Sequence, residues 1–220
     1  MKISMATRIS SARGRARAGA ALGVALMLGA AAAAADDSPR AVIQHTVDQV
    51  LAILRDHERG SKERRASLEA IAQQRFDFET MSRLVMAANW RKLSPPQQTQ
   101  FVDEFTRFLA NDYGARIDRY AQEEVEITGE QPEARGDYTV KTKIVGGKND
   151  GALVDYRMRQ KNGDWRIIDV VIEGISLVAN YRDQFREVAS NGGPAVVIDR
   201  LREKNASGGA VGTGSAPAKI

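Results

Sequence analysis

Asp169 has the most conspicuous setting of any ionisable residue in this sequence. It interrupts the apolar run Trp165-Arg166-Ile167-Ile168-Asp169-Val170-Val171-Ile172. A carboxyl buried in such a strand has its pKa raised by desolvation unless nearby donors hold it charged. Two roles are open to it. It can act as a general base in a hydrophobic cavity, as ketosteroid isomerase uses an aspartate. It can instead cap backbone N–H groups or pair with an arginine such as Arg182, and the lack of a second catalytic group beside it favours this reading. The rest of the chemical inventory is thin. His45 and His57 lie 12 apart on the first predicted helix, and no HExxH or paired-histidine spacing occurs, so a zinc or non-haem iron site is not expected. There is no GxSxG, and Ser176 has no histidine near it in sequence. Gly146-Gly147-Lys148 lacks the spacing of a phosphate loop and reads as a hairpin turn. There are no cysteines, which excludes thiolate ligands and cysteine nucleophiles. No catalytic site, metal or cofactor follows from these residues.

Charge argues against nucleic acid. Lys2, Arg8, Arg13, Arg15 and Arg17 are the only charges before Asp36, and an uncharged Ala- and Leu-rich run follows from Ala18 to Ala35. A basic segment, an apolar segment and Ala33-Ala34-Ala35 stand in the order of a secretory leader with its cleavage site. An uncleaved anchor is the alternative, but the run is short and Ala-dominated for a span of about 20 residues. No Arg-Arg pair precedes it, which points to ordinary unfolded export. Without residues 1–35 the balance becomes 27 basic against 28 acidic residues. The basic pI therefore belongs to the leader, and no nucleic-acid surface is implied. In an oxidising compartment a cysteine-free chain depends on its core. The 185 residues from Asp36 to Ile220 suit one domain.

The elements that would position these groups are helical first. Ser38-Pro39 caps a helix carrying Ile43, Val47, Val50, Leu51 and Leu54, running to about His57. A second starts near Ser61 with Leu68 and Ile71, and a third follows Asp77 with Phe78, Met81, Leu84 and Val85. Ser94-Pro95-Pro96-Gln97 opens the longest with a capping-box pattern. Phe101, Phe105, Phe108, Leu109, Ile117 and Tyr120 then lie at helical spacing over about 26 residues. After Gln122 the period falls to two. Val125 and Ile127, then Tyr138 to Ile144, then Val154 to Met158 alternate apolar with polar. Asn162-Gly163 is a hairpin signal leading into Trp165 to Ile172, a strand apolar on both faces. Ser176 caps another helix with Leu177, Val178, Tyr181, Phe185 and Val188. Gly192-Gly193-Pro194 ends it and begins a last one with Val196, Val197, Ile198 and Leu201. The Gly-, Ala- and Ser-rich tail at 206–220 has no apolar period.

The pattern predicts an α+β domain over 36–205, with helices, then a four-stranded antiparallel meander, then C-terminal helices. A strongly curved sheet of this kind encloses a cone-shaped cavity against its helices. Phe101, Phe105, Phe108, Tyr113, Tyr138, Tyr156 and Tyr181 would converge there. Composition alone leaves open whether they fill a core or line a ligand cavity.

The order of several segments is more specific. Phe76-Asp77-Phe78, Asn89-Trp90-Arg91-Lys92-Leu93-Ser94, Gln100-Phe101, Phe105 and Leu109 to Tyr113 come first. The block from Trp165 through Glu173-Gly174-Ile175-Ser176 to Val178, and Asn180-Tyr181-Arg182-Asp183-Gln184-Phe185, come later. From about Val42 to Leu201 the chain resembles the MlaC family, the toluene-tolerance auxiliary proteins of ABC transporters. It departs at Ala87-Ala88-Asn89, where many relatives carry a Leu-Gly pair. The resemblance implies a nuclear-transport-factor-like fold with a cavity for acyl chains. It implies a monomeric periplasmic phospholipid carrier that maintains outer-membrane lipid asymmetry. The implied partners are an outer-membrane lipoprotein–porin complex and an inner-membrane ABC transporter with its substrate-binding ring. Helix and strand phases then nominate Leu84, Val85, Phe101, Phe105, Tyr113, Val140, Tyr156, Val170, Ile172 and Tyr181 as lipid-contacting residues. A shift of one position on the last strand would exchange Val170 and Ile172 for Val171. Two alternatives stand beside the carrier: an enzyme using Asp169 as general base, and a periplasmic interaction module with a filled core.

Overall fold

A computed structural model of the chain describes residues 37–117 and 122–207. The segment 1–35 expected to be a leader, Tyr120 and the tail from 208 lie outside the described residues. Helix α1, Pro39–Arg55, starts at Ser38, whose Oγ accepts from Ala41 N–H at 3.2 Å with proline at the first helical position. It buries Ile43, Val47, Leu51 and Leu54, the i, i+4, i+8 stripe of an amphipathic helix. The helix stops at Arg55, so His57 lies in the turn beyond it rather than on the helix.

Helix α2, Ser61–Arg75, buries no residue fully, and Leu68 and Ile71 are half-covered. Helix α3, Phe78–Met86, is capped by Asp77, whose carboxylate accepts from Thr80 N–H at 3.0 Å and Thr80 Oγ–H at 2.6 Å. A 3-10 turn over Ala87–Lys92 links it to α4, Pro95–Ile117. Gln97 Oε1 accepts from Ser94 N–H at 2.9 Å, closing the start of α4 as its sequence foretells.

The sheet is an antiparallel meander in the order β1 Glu124–Pro132, β2 Tyr138–Val145, β3 Leu153–Lys161, β4 Asp164–Ile172 and β5 Ile175–Ser176. The β3–β4 turn places Asn162 at φ 55° and Gly163 at φ 91°, the two positive dihedrals that Asn-Gly supplies most easily. The expected four strands become five. Glu173 and Gly174 turn tightly, and Ile175 and Ser176 pair back onto Ile172 and Val171. Two residues are too few to show a period, so this strand has no sequence signature.

Strand β4 does not alternate strictly. Arg157 pairs with Asp169 while Met158 pairs with Ile167, leaving Ile168 as an extra residue. This bulge changes the phase. Ile167 and Val170, three apart, both join the core, which accounts for a strand apolar on both faces.

Helices α5, Leu177–Ser190, and α6, Ala195–Ala206, complete the fold. Helix α6 includes Ala206, one residue beyond the expected end of the domain. Helix α1 lies on β1 and β2, while α2, α3 and α5 approach β4; α4 packs chiefly against α6. No helix of the described residues is long and apolar enough to cross a membrane.

Two positions test this account of local structure. Ala87 closes α3 at φ 47°, ψ −123°, a conformation that glycine tolerates and a Cβ does not. It lies in the segment Ala87-Ala88-Asn89 singled out in the sequence. Ala87→Gly is therefore expected to stabilise the fold by about 0.5–2 kcal/mol, read as a higher urea midpoint at unchanged slope.

At Asp77 burial pushes the carboxyl pKa up, but the Thr80 hydrogen bonds and Lys161 Nζ at 3.0 Å outweigh it and hold the pKa below the ordinary 3.8. The stabilisation is therefore complete above the unfolded value and disappears as pH falls through the lower, folded one. Asp77→Ala should cost about 1–2 kcal/mol at neutral pH. The difference from wild type should shrink below about pH 4 in denaturation curves recorded across that range.

Candidate ligand-binding site

The ten nominated residues fall into groups set by their elements. Phe101 and Phe105 of α4 and Tyr181 of α5 form one aromatic cluster with Phe108 and Phe185. Phe105 meets Tyr181 at 5.8 Å and Phe185 at 5.6 Å between ring centroids, both edge-to-face. Phe101 meets Phe185 at 5.5 Å and Phe108 meets Tyr181 at 5.6 Å in the same geometry. Edge-to-face pairs of this kind are worth about 0.5–1.5 kcal/mol each beyond area burial. Helical spacing puts Phe101, Phe105 and Phe108 on one side of α4, and the i, i+4 pair Tyr181 and Phe185 answers from α5.

On the sheet, Val140, Tyr156 and Val170 stand side by side across β2, β3 and β4, with Ile172 opposite Val154 one row further on. Val85 of α3 is buried in the same core, and Leu84, Tyr113, Tyr156 and Ile172 pack against it half-exposed. The structure thus brings all ten into one apolar cluster between the helices and one sheet face. Tyr181 is fully buried within it. The sheet aromatics Tyr138 and Trp165 form a separate pair at 6.0 Å.

An open cavity of about 490 Å³ lies elsewhere, and none of the ten lines it. Its floor is the opposite face of β2, β3 and β4. Cross-strand register makes two rows there, Thr139–Arg157–Asp169 and Lys141–Asp155–Val171. Val178, Ala179 and Arg182 of α5 form one wall, and Gln131 and Glu133 stand at the rim. Of the two β4 phases weighed from the sequence, the one containing Val171 faces this groove. Lys141, Asp155 and Arg157 read in the sequence as an ordinary solvated face. Only the register that lines them up, and the second apolar face of β4, mark the place as covered.

Asp169 is 2% exposed, and both its oxygens are occupied. Oδ2 accepts from Ser176 Oγ–H at 2.5 Å and Oδ1 from Val178 N–H at 3.0 Å, while Ser176 Oγ accepts from Ala179 N–H at 3.0 Å. The carboxylate is a cap for α5, the second of the roles the sequence leaves open. Arg182 does not pair with it, and Arg182 Nε donates to Leu84 C=O at 2.9 Å. His45 and His57 are both exposed. Among the described residues no group of three or more His, Cys, Asp or Glu side chains is placed to hold a metal ion. Asp169→Ala strands two buried donors and should lower stability by about 2–4 kcal/mol in chemical denaturation.

Comparison with known proteins places this geometry. The chain is 25% identical over 166 residues to the toluene tolerance protein ttg2D of Pseudomonas putida, covering 72% of this chain and 76% of that one. It is 17% identical over 179 residues to the intermembrane phospholipid transport system binding protein MlaC of Haemophilus influenzae, covering 78% and 84%. Among solved structures, a phospholipid-binding protein from Ralstonia solanacearum in complex with a phospholipid superposes with a TM-score of 0.69. It is 24% identical, over 76% of this chain and 97% of that one, a likeness that establishes the fold. The family described as MlaC protein matches residues 44–203, most of the chain and nearly the whole helix–sheet–helix unit described above, so this protein belongs to the MlaC family.

Proposed function

We infer that this protein is a soluble phospholipid carrier of the periplasm. The observation that carries the reading is family membership over residues 44–203. The phospholipid held by the Ralstonia protein of the same fold supports it. Acyl chains enter between the helices and the inner sheet face, against the ten apolar residues nominated above.

Those side chains pack on one another, so entry requires the layers to part. The energetics allow it. Each methylene removed from water is worth roughly 0.8 kcal/mol, so two acyl chains bring on the order of tens of kcal/mol. A domain of this size is stable by only about 5–15 kcal/mol in total. Relative to lipid in water, ligand burial of that magnitude favours a repacking that side chains alone do not make. Recognition through tails rather than headgroups would keep exchange with membranes near balance. This suits shuttling between an outer-membrane lipoprotein–porin complex and an inner-membrane ABC transporter with its substrate-binding ring.

One observation favours a second reading. The closely packed interior also fits an interaction module with a filled core, and lipid loading separates the two. Protein purified from its producing cells should carry phospholipid detectable by native mass spectrometry, and loading should raise its melting temperature. Val140→Trp, which crowds the inner row at a cost of about 1–3 kcal/mol, should lower the amount of bound lipid in protein whose circular dichroism spectrum is retained. Lipid-free protein whose melting temperature ignores added phospholipid would establish the filled-core reading instead.

A further inference from the structure

We propose that the groove on the outer sheet face is an anion-binding subsite centred on Arg157, taking a phosphate group of a mono- or diester or free phosphate. Most polar groups around it already have partners. Asp169 is held by Ser176 and Val178. Glu133 Oε1 accepts from Thr139 Oγ–H at 3.0 Å, and Arg182 uses its Nε on Leu84. Asp155 is the remaining carboxylate. Burial pushes its pKa up, against the pull of Lys141 and a backbone hydrogen bond from Thr142.

Arg157 is different. It sits mid-strand on β3 between Thr139 and Asp169. Its Nε is buried without a hydrogen-bond partner, and its side chain takes part in none of the hydrogen bonds or ion pairs among the described residues. Neighbouring Lys141 stands opposite Asp155 in register and attracts it. A guanidinium offers five donors in a fixed fork, and a partly covered one left unpaired carries a desolvation penalty. A bidentate oxyanion removes that penalty and suits the fork. The volume of about 490 Å³ lies in the range of small-ligand sites. Asp155 disfavours a full dianion and so selects for single negative charge.

This site is separate from the acyl interior and does not require the lipid-carrier reading. The phosphate can belong to a phospholipid headgroup or to a small soluble phosphate, and the experiment distinguishes them. Binding to the purified chain is titrated with inorganic phosphate, with glycerol phosphate, and with short-chain phosphatidylglycerol against diacylglycerol of equal chain length. Affinity for at least one phosphate-bearing probe should fall about tenfold or more in Arg157→Gln and recover partly in Arg157→Lys, which keeps the charge but not the fork. A fall confined to the two soluble phosphates identifies a free-phosphate site. A fall confined to phosphatidylglycerol, with diacylglycerol unaffected, identifies a headgroup site.

The ligand-free melting temperature supplies an independent arm. Removing an unpaired, partly covered cation should leave it unchanged or raised. Equal affinities of wild type and Arg157→Gln for every phosphate probe would overturn the proposal. So would a loss of several degrees in the unliganded variant, because the guanidinium would then be engaged within the fold.

Discussion

The carboxylate of Asp169 is the joint on which the architecture turns. It comes from a central stretch of β4 yet serves the N-terminus of α5, gripping one backbone N–H and the hydroxyl that caps the next turn. A buried acceptor holding two donors sets the entry angle of α5 more firmly than apolar packing, which has no direction. Tyr181 and Phe185, one and two turns further on, then arrive opposite Phe101, Phe105 and Phe108. The aromatic cluster is thus placed by an electrostatic contact outside it.

The sheet separates two environments of opposite character. One face, with Val140, Tyr156, Met158 and Val170, is sealed by helices into a dense apolar layer. The other carries Lys141, Asp155 and Arg157 in a groove open to water. The bulge at Ile168 lets β4 serve both, because one inserted residue carries Ile167 and Val170 to the same side without breaking the strand. Helix α2 adds an asymmetry. It has no fully buried side chain and so is the least anchored of the covering helices, the kind of element that yields first when packed layers separate.

Much of this was legible in the residues. Ser38, Asp77, Ser94 and Ser176 each announced a helix start, and Asn162-Gly163 announced the β3–β4 turn, because caps and tight turns are local chemistry. The stripe from Phe101 to Phe108 named its own face of α4. The groove was not legible in this way. Lys141 and Arg157 are ordinary outward residues until pairing across strands lines them up and α5 rises beside them, and pairing is a long-range property. Ile168 was hidden for the same reason, since a bulge is defined by what the neighbouring strand does. Ala87 lay between these cases: its segment stood out in the sequence, but only the dihedrals showed why glycine would suit the place.

The margins of the sheet bear on how the molecule lives among its neighbours. An open sheet offers unpaired N–H and C=O groups at each border, an invitation to fibre-like stacking. Here β5 covers one border with only two residues before the chain turns into helix, and Glu173 Oε1 accepts from Leu153 N–H at 2.5 Å beside it. The far border, β1, carries Glu124, Glu126 and Glu130 along its exposed side and ends in Pro132. Glu124 and Glu130 are engaged by Arg55 and Arg40 of α1, which ties this rim to a helix, and proline has no amide hydrogen to donate to an intermolecular ladder. A curved sheet that never closes on itself can therefore limit edge-to-edge pairing without the barrel that would otherwise hide its rims.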